Sequence, residues 1–291
     1  MRSLNVGVVK SLIPNGNINA LTINVYDWFQ IAGLQDITNC KDSDKNKDRI
    51  SITTIKMLNI LSKMNVKATF FVPGVVAEKD PEIIKRIHNG GHEIAILGYS
   101  NKSISNFTED EFCREVKSAV EIVEKITGQN IVGYRAPHYS IMPDTVWACE
   151  ILSKLGLQYD SSIFPVKHDN YGFLSAPRFP FIIDLKKNGK LIEFPLSTIR
   201  FLGNNIPIAG GAYLRLLPYW FTRYAIKKLN ATGNPAIVYL HPWDLDIDQP
   251  HVKLNFALCF KHYGNRLTTE KKLIKLLHDF QFGPIREVLG L

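Results

Sequence analysis

The decapeptide Leu21 to Gln30, LTINVYDWFQ, reads as a buried strand that opens into a loop, the place where an α/β enzyme keeps its chemistry. It carries an amide at Asn24, a phenol at Tyr26 and a carboxylate at Asp27. Asn24 cannot take a proton at neutral pH, so Asp27 is the one side chain here able to act as a base. Elsewhere, Cys40, Cys113, Cys149 and Cys259 form no C-x-x-C pair and read as reduced structural thiols. His168, His251, His262 and His278 have no ligand spacing and read as surface residues. His92 and Glu93 precede the apolar part of a strand and read as framework. Arg135, His138 and His241 bring a guanidinium and two imidazoles, groups of the kind that can hold an anion or move a proton. Trp243 and Asp244 follow His241 and read as the wall of a cleft.

Strands alternating with helices must position these groups. Strands are expected at 21–25, 67–72, 92–97, 131–135, 157–160, 192–195 and, as the last, 236–240. Arg49 to Met64 has helical spacing, with Ile52, Ile55, Leu58 and Leu61 on one face. Asp80-Pro81 opens a helix and Gly90-Gly91 closes it. Thr108 to Glu111 is a capping box ahead of the stripe Phe112, Val116, Val120 and Val123, and Gly128 stops that helix. Further helices are expected over 144–155, 214–229 and 268–280, and a loop over 36–48. About seven strand–helix units favour a parallel sheet rolled into a closed or nearly closed barrel.

The chain has 291 residues, 45% hydrophobic and 21% charged, which suits one domain over 1–291 with a sizeable core. No apolar run reaches the ~18 residues of a membrane-spanning helix. The N-terminus has a short apolar patch without a cleavage signal, so a cytoplasmic chain with at most peripheral membrane contact is expected. A net charge of +8 invites an anionic partner. The Lys and Arg residues are dispersed, with no nucleic-acid motif, so a solvated basic surface is the plain reading and no nucleic acid is expected.

Several segments in order, KATFFVPGVVAE, GHEIA, GYRAPHYSI, YDSSIFP, RFP, EFPLST, GGAYLRLLPYWF, LHPWDLDIDQP and LLHDFQFGPIREVL, resemble the polysaccharide deacetylase superfamily, in its exopolysaccharide-locus branch. The resemblance runs from about Leu21 to the C-terminus. It implies a distorted seven-stranded (β/α) barrel with a divalent metal at its C-terminal mouth. It places a catalytic base at Asn24, a metal-binding acid at Tyr26 and two metal-binding histidines at Leu97 and Asn101. A leucine, a phenol and two amides make no divalent-cation site, so no metal and no cofactor are expected. The acid half of the mechanism is implied to persist. Arg135 would orient the base, and Pro137 with the His138 N–H would meet an oxyanion. His241 would protonate the leaving amine, Asp160 would orient His241, and Leu240 would wall the acetyl pocket.

Two functions follow. One is a glycan-binding pseudoenzyme whose cleft is lined by Asn24, Tyr26, Leu97, Asn101, Pro137, Tyr139, Leu240 and Trp243. The other is a metal-independent hydrolase of a non-peptide C–N bond, with His241 as acid–base, Arg135 as anion clamp, the His138 N–H as oxyanion donor and Asp27 or His138 as base. Either would take an N-acetylated or otherwise N-acylated glycan. A partner would be an active paralogue or a glycan-assembly enzyme.

Overall fold

β1 (Asn19–Asn24) is buried along its whole length, because its alternate side chains enter two different apolar layers. Ala20 joins an inner cluster with Phe71, Ala95, Leu97 and Ile237. Leu21 and Ile23 join the larger outer cluster that packs the sheet against helices. The computed structural model describes residues 18–28, 49–168, 171–185, 189–208, 210–252 and 254–291. The expected loop over 36–48, the N-terminal apolar patch and Cys40 lie outside the described residues.

Seven strands run parallel in the spatial order β10 (Ile237–Leu240), β1, β2 (Thr69–Val72), β3 (Glu93–Ile96), β4 (Gly133–Tyr134), β5 (Tyr159–Asp160) and β7 (Lys190–Glu193). β6 (Phe181–Asp184) adds antiparallel to β7 at one edge, and β11 (Phe282–Gly283) pairs with the start of β1. β10 and β6 do not pair, so the sheet curls without closing. β8 (Thr198–Phe201) and β9 (Asn204–Pro207) form a separate hairpin. Neither that hairpin nor β6 and β11 belongs to the expected strand set, and β11 rather than β10 is the last strand.

The helices are α1 (Arg49–Lys63), α2 (Gly74–Lys79), α3 (Pro81–Asn89), α4 (Glu109–Thr127), α5 (Ala148–Lys154), α6 (Gly211–Leu216), α7 (Tyr219–Asn230), α8 (Phe256–Tyr263), α9 (Thr269–Asp279) and α10 (Ile285–Leu289). Local chemistry sets their ends. The Asp80 side chain accepts from the Ile83 N–H at the start of α3. Thr108 and Glu111 form the reciprocal capping box of α4, and Gly128 ends it in the left-handed region.

Three expectations change. The inner face of α1 is Thr53, Thr54, Met57, Ile60 and Leu61, while Ile52 is 64% exposed. Thr53 gives its hydroxyl hydrogen to the Arg49 carbonyl, 2.7 Å away, which lets a nominally polar residue face inward. The helix expected over 214–229 is broken, because the residue before Pro218 must leave the helical region and Leu217 has ψ 145°. The helix expected over 144–155 shortens to α5, and Thr145 spends its hydroxyl on a turn, donating to the Ser140 carbonyl at 2.6 Å.

Candidate functional site

The strand ends bring a chain of polar groups together at the mouth of the curled sheet. His241 follows β10 directly and stands 4.8 Å from Tyr26, ring centre to ring centre. The Tyr26 hydroxyl lies 2.7 Å from His241 Nε2. On the other side of the ring, His241 Nδ1 lies 3.2 Å from Asp244 Oδ2, and that oxygen also accepts the His241 N–H at 2.8 Å. Asp244 is held in turn by a buried ion pair with Arg215 of α6. Trp243 stacks on the imidazole at 4.7 Å and 13°. Burial, with Arg215 and Arg135 nearby, holds the His241 pKa well below its ordinary value. A neutral imidazole that donates from Nδ1 to Asp244 accepts the Tyr26 O–H at Nε2. Burial, with Tyr239 beside it, pushes the Tyr26 phenol pKa up, so it keeps that hydrogen. The result is a phenol–imidazole–carboxylate–guanidinium relay.

Arg135 follows β4 and is fully buried. Its Nη1 donates to Asn24 Oδ1 and Thr22 Oγ1, both at 2.9 Å, its Nε to the Ser161 carbonyl at 2.8 Å, and its Nη2 to Ser161 Oγ at 2.9 Å. Its plane lies 3.9 Å over the Phe71 ring. With four of its five N–H groups engaged and none of its surface exposed, Arg135 is a fixed interior brace and not an open anion clamp. The Asn24 amide stands where it would hold a base, and its Nδ2 donates to the Tyr139 hydroxyl at 3.2 Å.

Three other expected roles are corrected. Asp160 does not meet His241. It pairs in register with Glu193 across β5 and β7 and accepts the Ser162 hydroxyl at 2.5 Å. Burial raises both carboxyl pKa values, and the Asp160 charge beside it raises that of Glu193 further. Asp244, expected as cleft wall, is the acid beside His241. Leu240 cannot wall the mouth, because it alternates with Tyr239: Tyr239 enters the inner cluster and Leu240 packs among the outer residues with Val238.

Asp27 is buried, and its Oδ1 accepts the Trp28 N–H at 2.8 Å. Burial raises its pKa to about 6, with Asp246 and Arg49 as its charged neighbours. Pro137, His138 and Tyr139 form one 3-10 turn, in which His138 and Tyr139 are both left-handed at φ 55° and 57°. Two such residues in succession mark a strained turn. The His138 ring bonds the Asn101 carbonyl at 3.0 Å and so ties the turn to the loop after β3.

A divalent metal does not fit these residues. Tyr26 spends its oxygen on His241, Leu97 is buried hydrocarbon in the inner cluster, and Asn101 brings a neutral amide in place of an imidazole, its backbone carbonyl bonded to the His138 ring. Among the described residues, no three of His, Cys, Asp and Glu gather into a metal-holding group.

Arg215, Thr22, Ser161 and Tyr239 were missed in the sequence. The three-residue spacing of His241 and Asp244 is that of a capping box and was a usable signal. Arg215 comes from a distant helix, and nothing local announces it.

Residues 44–159 match the family described as Polysaccharide deacetylase, and residues 161–290 match a Domain of unknown function (DUF3473). The two segments share one sheet through the pairing of β5 with β7. A peptidoglycan-N-acetylglucosamine deacetylase of Bacillus cereus is 39% identical over 133 residues, covering 42% of this chain and 48% of that protein. A peptidoglycan deacetylase of Helicobacter pylori is 32% identical over 108 residues, covering 37% of this chain and 36% of that protein. The chain therefore spans less than half the length of these curated relatives. A Mycobacterium smegmatis structure assigned as a polysaccharide deacetylase superposes with a TM-score of 0.61 at 20% identity, over 97% of this chain and 94% of the other. A peptidoglycan N-acetylglucosamine deacetylase structure gives 0.51 at 19% identity, over 96% and 90%. At these identities the structural likeness speaks for the fold.

Proposed function

We propose, from the match of residues 44–159 to the polysaccharide deacetylase family, that this chain is a metal-free relative that recognises an N-acylated glycan without metal-dependent hydrolysis. The observation that carries this reading is the 2.7 Å hydrogen bond between Tyr26 and His241. A phenol stands where the resemblance expects a metal-binding acid, and it closes the free nitrogen of the expected proton donor. Asn24, an amide, stands at the position of the base, braced by Arg135. Half-buried Tyr26, Tyr139 and Tyr239 suit the C–H faces of a sugar. The setting we propose is exopolysaccharide or surface-glycan assembly in the cytoplasm, beside an active paralogue or a glycan-assembly enzyme.

Metal analysis of the purified chain tests this directly. Zinc far below one ion per chain is expected, and a stoichiometric ion would overturn the reading. The combined variant Asn24→Asp, Tyr26→Asp, Leu97→His and Asn101→His is expected to take up zinc, because it returns carboxylates and imidazoles to the mouth.

The Tyr26–His241–Asp244 order favours a second reading. Hydroxyl, imidazole and carboxylate in that sequence are the arrangement of a metal-independent acyl-transfer site. The two readings part at His241→Ala. In the binding reading, affinity for an N-acetylated oligosaccharide stays within about twofold, and neither protein turns it over. If the parent hydrolyses the N-acyl group and both His241→Ala and Tyr26→Phe abolish that turnover, the second reading holds.

A further inference from the structure

The outer surface of α7 and α9 stands apart from the mouth and plays no part in the function proposed above. The outer side of these two helices carries Arg223, Lys227, Lys228, Lys271 and Lys275 against Glu270 and Asp279, while Lys272 turns inward and donates to the Leu214, Arg215 and Leu217 carbonyls. Five cations against two acids leave an excess of three positive charges on this face, out of the chain's net +8. The two acids are already neutralised: Arg223 Nε binds Asp279 at 2.8 Å, and Lys56 binds Glu270 at 2.8 Å. Lys227, Lys228 and Lys271 are exposed and enter no salt bridge among the described residues. Between the cations, Trp220 is 68% exposed and Tyr224 is 53% exposed, one turn apart on α7. At helical spacing Trp220, Arg223, Tyr224 and Lys227 share one stripe. The face is locked as a unit, because the Tyr219 hydroxyl donates to Asp279 at 2.8 Å, and Lys275 Nζ lies 4.8 Å over the Tyr219 ring.

We propose that the α7–α9 face is a docking surface for an anionic lipid bilayer. Charge complementarity selects an anionic partner, since each unpaired Lys or Arg near an acidic leaflet adds attraction. An exposed indole and phenol between lysine stems match the headgroup level of a bilayer, where an aromatic ring meets both water and acyl chain. The face is the solvent side of two helices, with Trp220 and Tyr224 standing exposed, whereas a single glycan chain takes a concave cleft.

The test uses the full chain with phosphatidylcholine vesicles, with or without about one third phosphatidylglycerol. The chain is expected to sediment with the anionic vesicles alone and to be released by raised salt. Brominated lipids are expected to quench Trp220, since Trp28 and Trp243 are buried and Trp147 is half-buried. Trp220→Phe is expected to remove that quenching. Lys227→Gln with Lys228→Gln is expected to weaken partitioning about fivefold per lysine. All these side chains are exposed, so an unchanged melting temperature will show that the fold is kept. Equal binding to neutral vesicles, absence of binding, or binding untouched by the variants would overturn the proposal. Binding to polyuridylate without binding to anionic vesicles would assign the face to nucleic acid and overturn it equally.

Discussion

His241 receives a hydrogen from Tyr26 and gives one to Asp244, so its ring is expected to stay neutral, with the hydrogen on Nδ1, as pH falls through the ordinary histidine pKa of about 6.5. Nitrogen chemical shifts of the histidine ring measure this, and a ring that gains charge near its ordinary pKa would contradict the hydrogen-bond assignment. At this scale the sequence was half legible. His241, Tyr26, Asn24 and Arg135 do come together, because strand ends collect at one mouth. Asp160 was assigned by motif, yet it answers to Glu193 opposite it in the neighbouring strand. Cross-strand register is a property of the folded sheet and leaves no mark in a local window. Leu240 was different: its parity with Tyr239 was readable, since successive strand residues point to opposite faces.

Helix ends were the most legible elements. The Asp80 cap, the Thr108 capping box and the Gly128 stop each rest on a few neighbouring residues, and each stands as written. Helix faces and short strands were less so. Ile52 falls outside because a threonine satisfied by its own helix takes the inner place. The two-stranded hairpin of β8 and β9 has no apolar alternation strong enough to announce it. The start of α6 makes a prediction of its own. Gly210 sits at φ 115°, and a Cβ on Gly211 would overlap the Asp244 carboxylate. Gly211→Ala is therefore expected to displace Asp244 from His241 and to lower the melting temperature by several degrees, a loss of about 1–3 kcal/mol. Scanning calorimetry with the His241 ring signals checks both parts, and an unmoved ring would show that Asp244 is not held by this close approach.

Two opposed groups of buried titratable residues set the pH range of the whole molecule. His262 lies inside against Trp243 and Gln249 and not at the expected surface; burial lowers its pKa to about 3 and that of His92 to about 4, and His241 is lowered as well. Unfolded histidine binds a proton at about 6.5. Stability from these neutral rings is present above that value and is lost as pH falls toward about 4. His92 also accepts the Ala68 N–H on Nδ1, an acceptor that protonation removes. The Asp160–Glu193 pair acts the other way, since its raised pKa values mean that the folded state keeps a proton the unfolded state gives up. Its contribution is present at low pH and is lost as pH rises through the raised values. Glu193→Gln is expected to raise the melting temperature above neutrality and to leave it nearly unchanged near pH 5, as melting across a pH series will show. A variant equally shifted at both ends would rule out the retained proton as the cause.

β1 also sets an order of events. Its partners are β2, close behind it, and β10 and β11, which are made much later. The Asn19 side chain waits for the Ala236 N–H, 217 positions downstream. At ordinary elongation speeds that is about 10–40 s of translation, during which one flank of a strand that ends fully buried has no neighbour. A nascent chain of this protein is thus exposed to wrong pairing until β10 is made, and its yield in the cell will follow the supply of chaperones more closely than the stability of the finished fold.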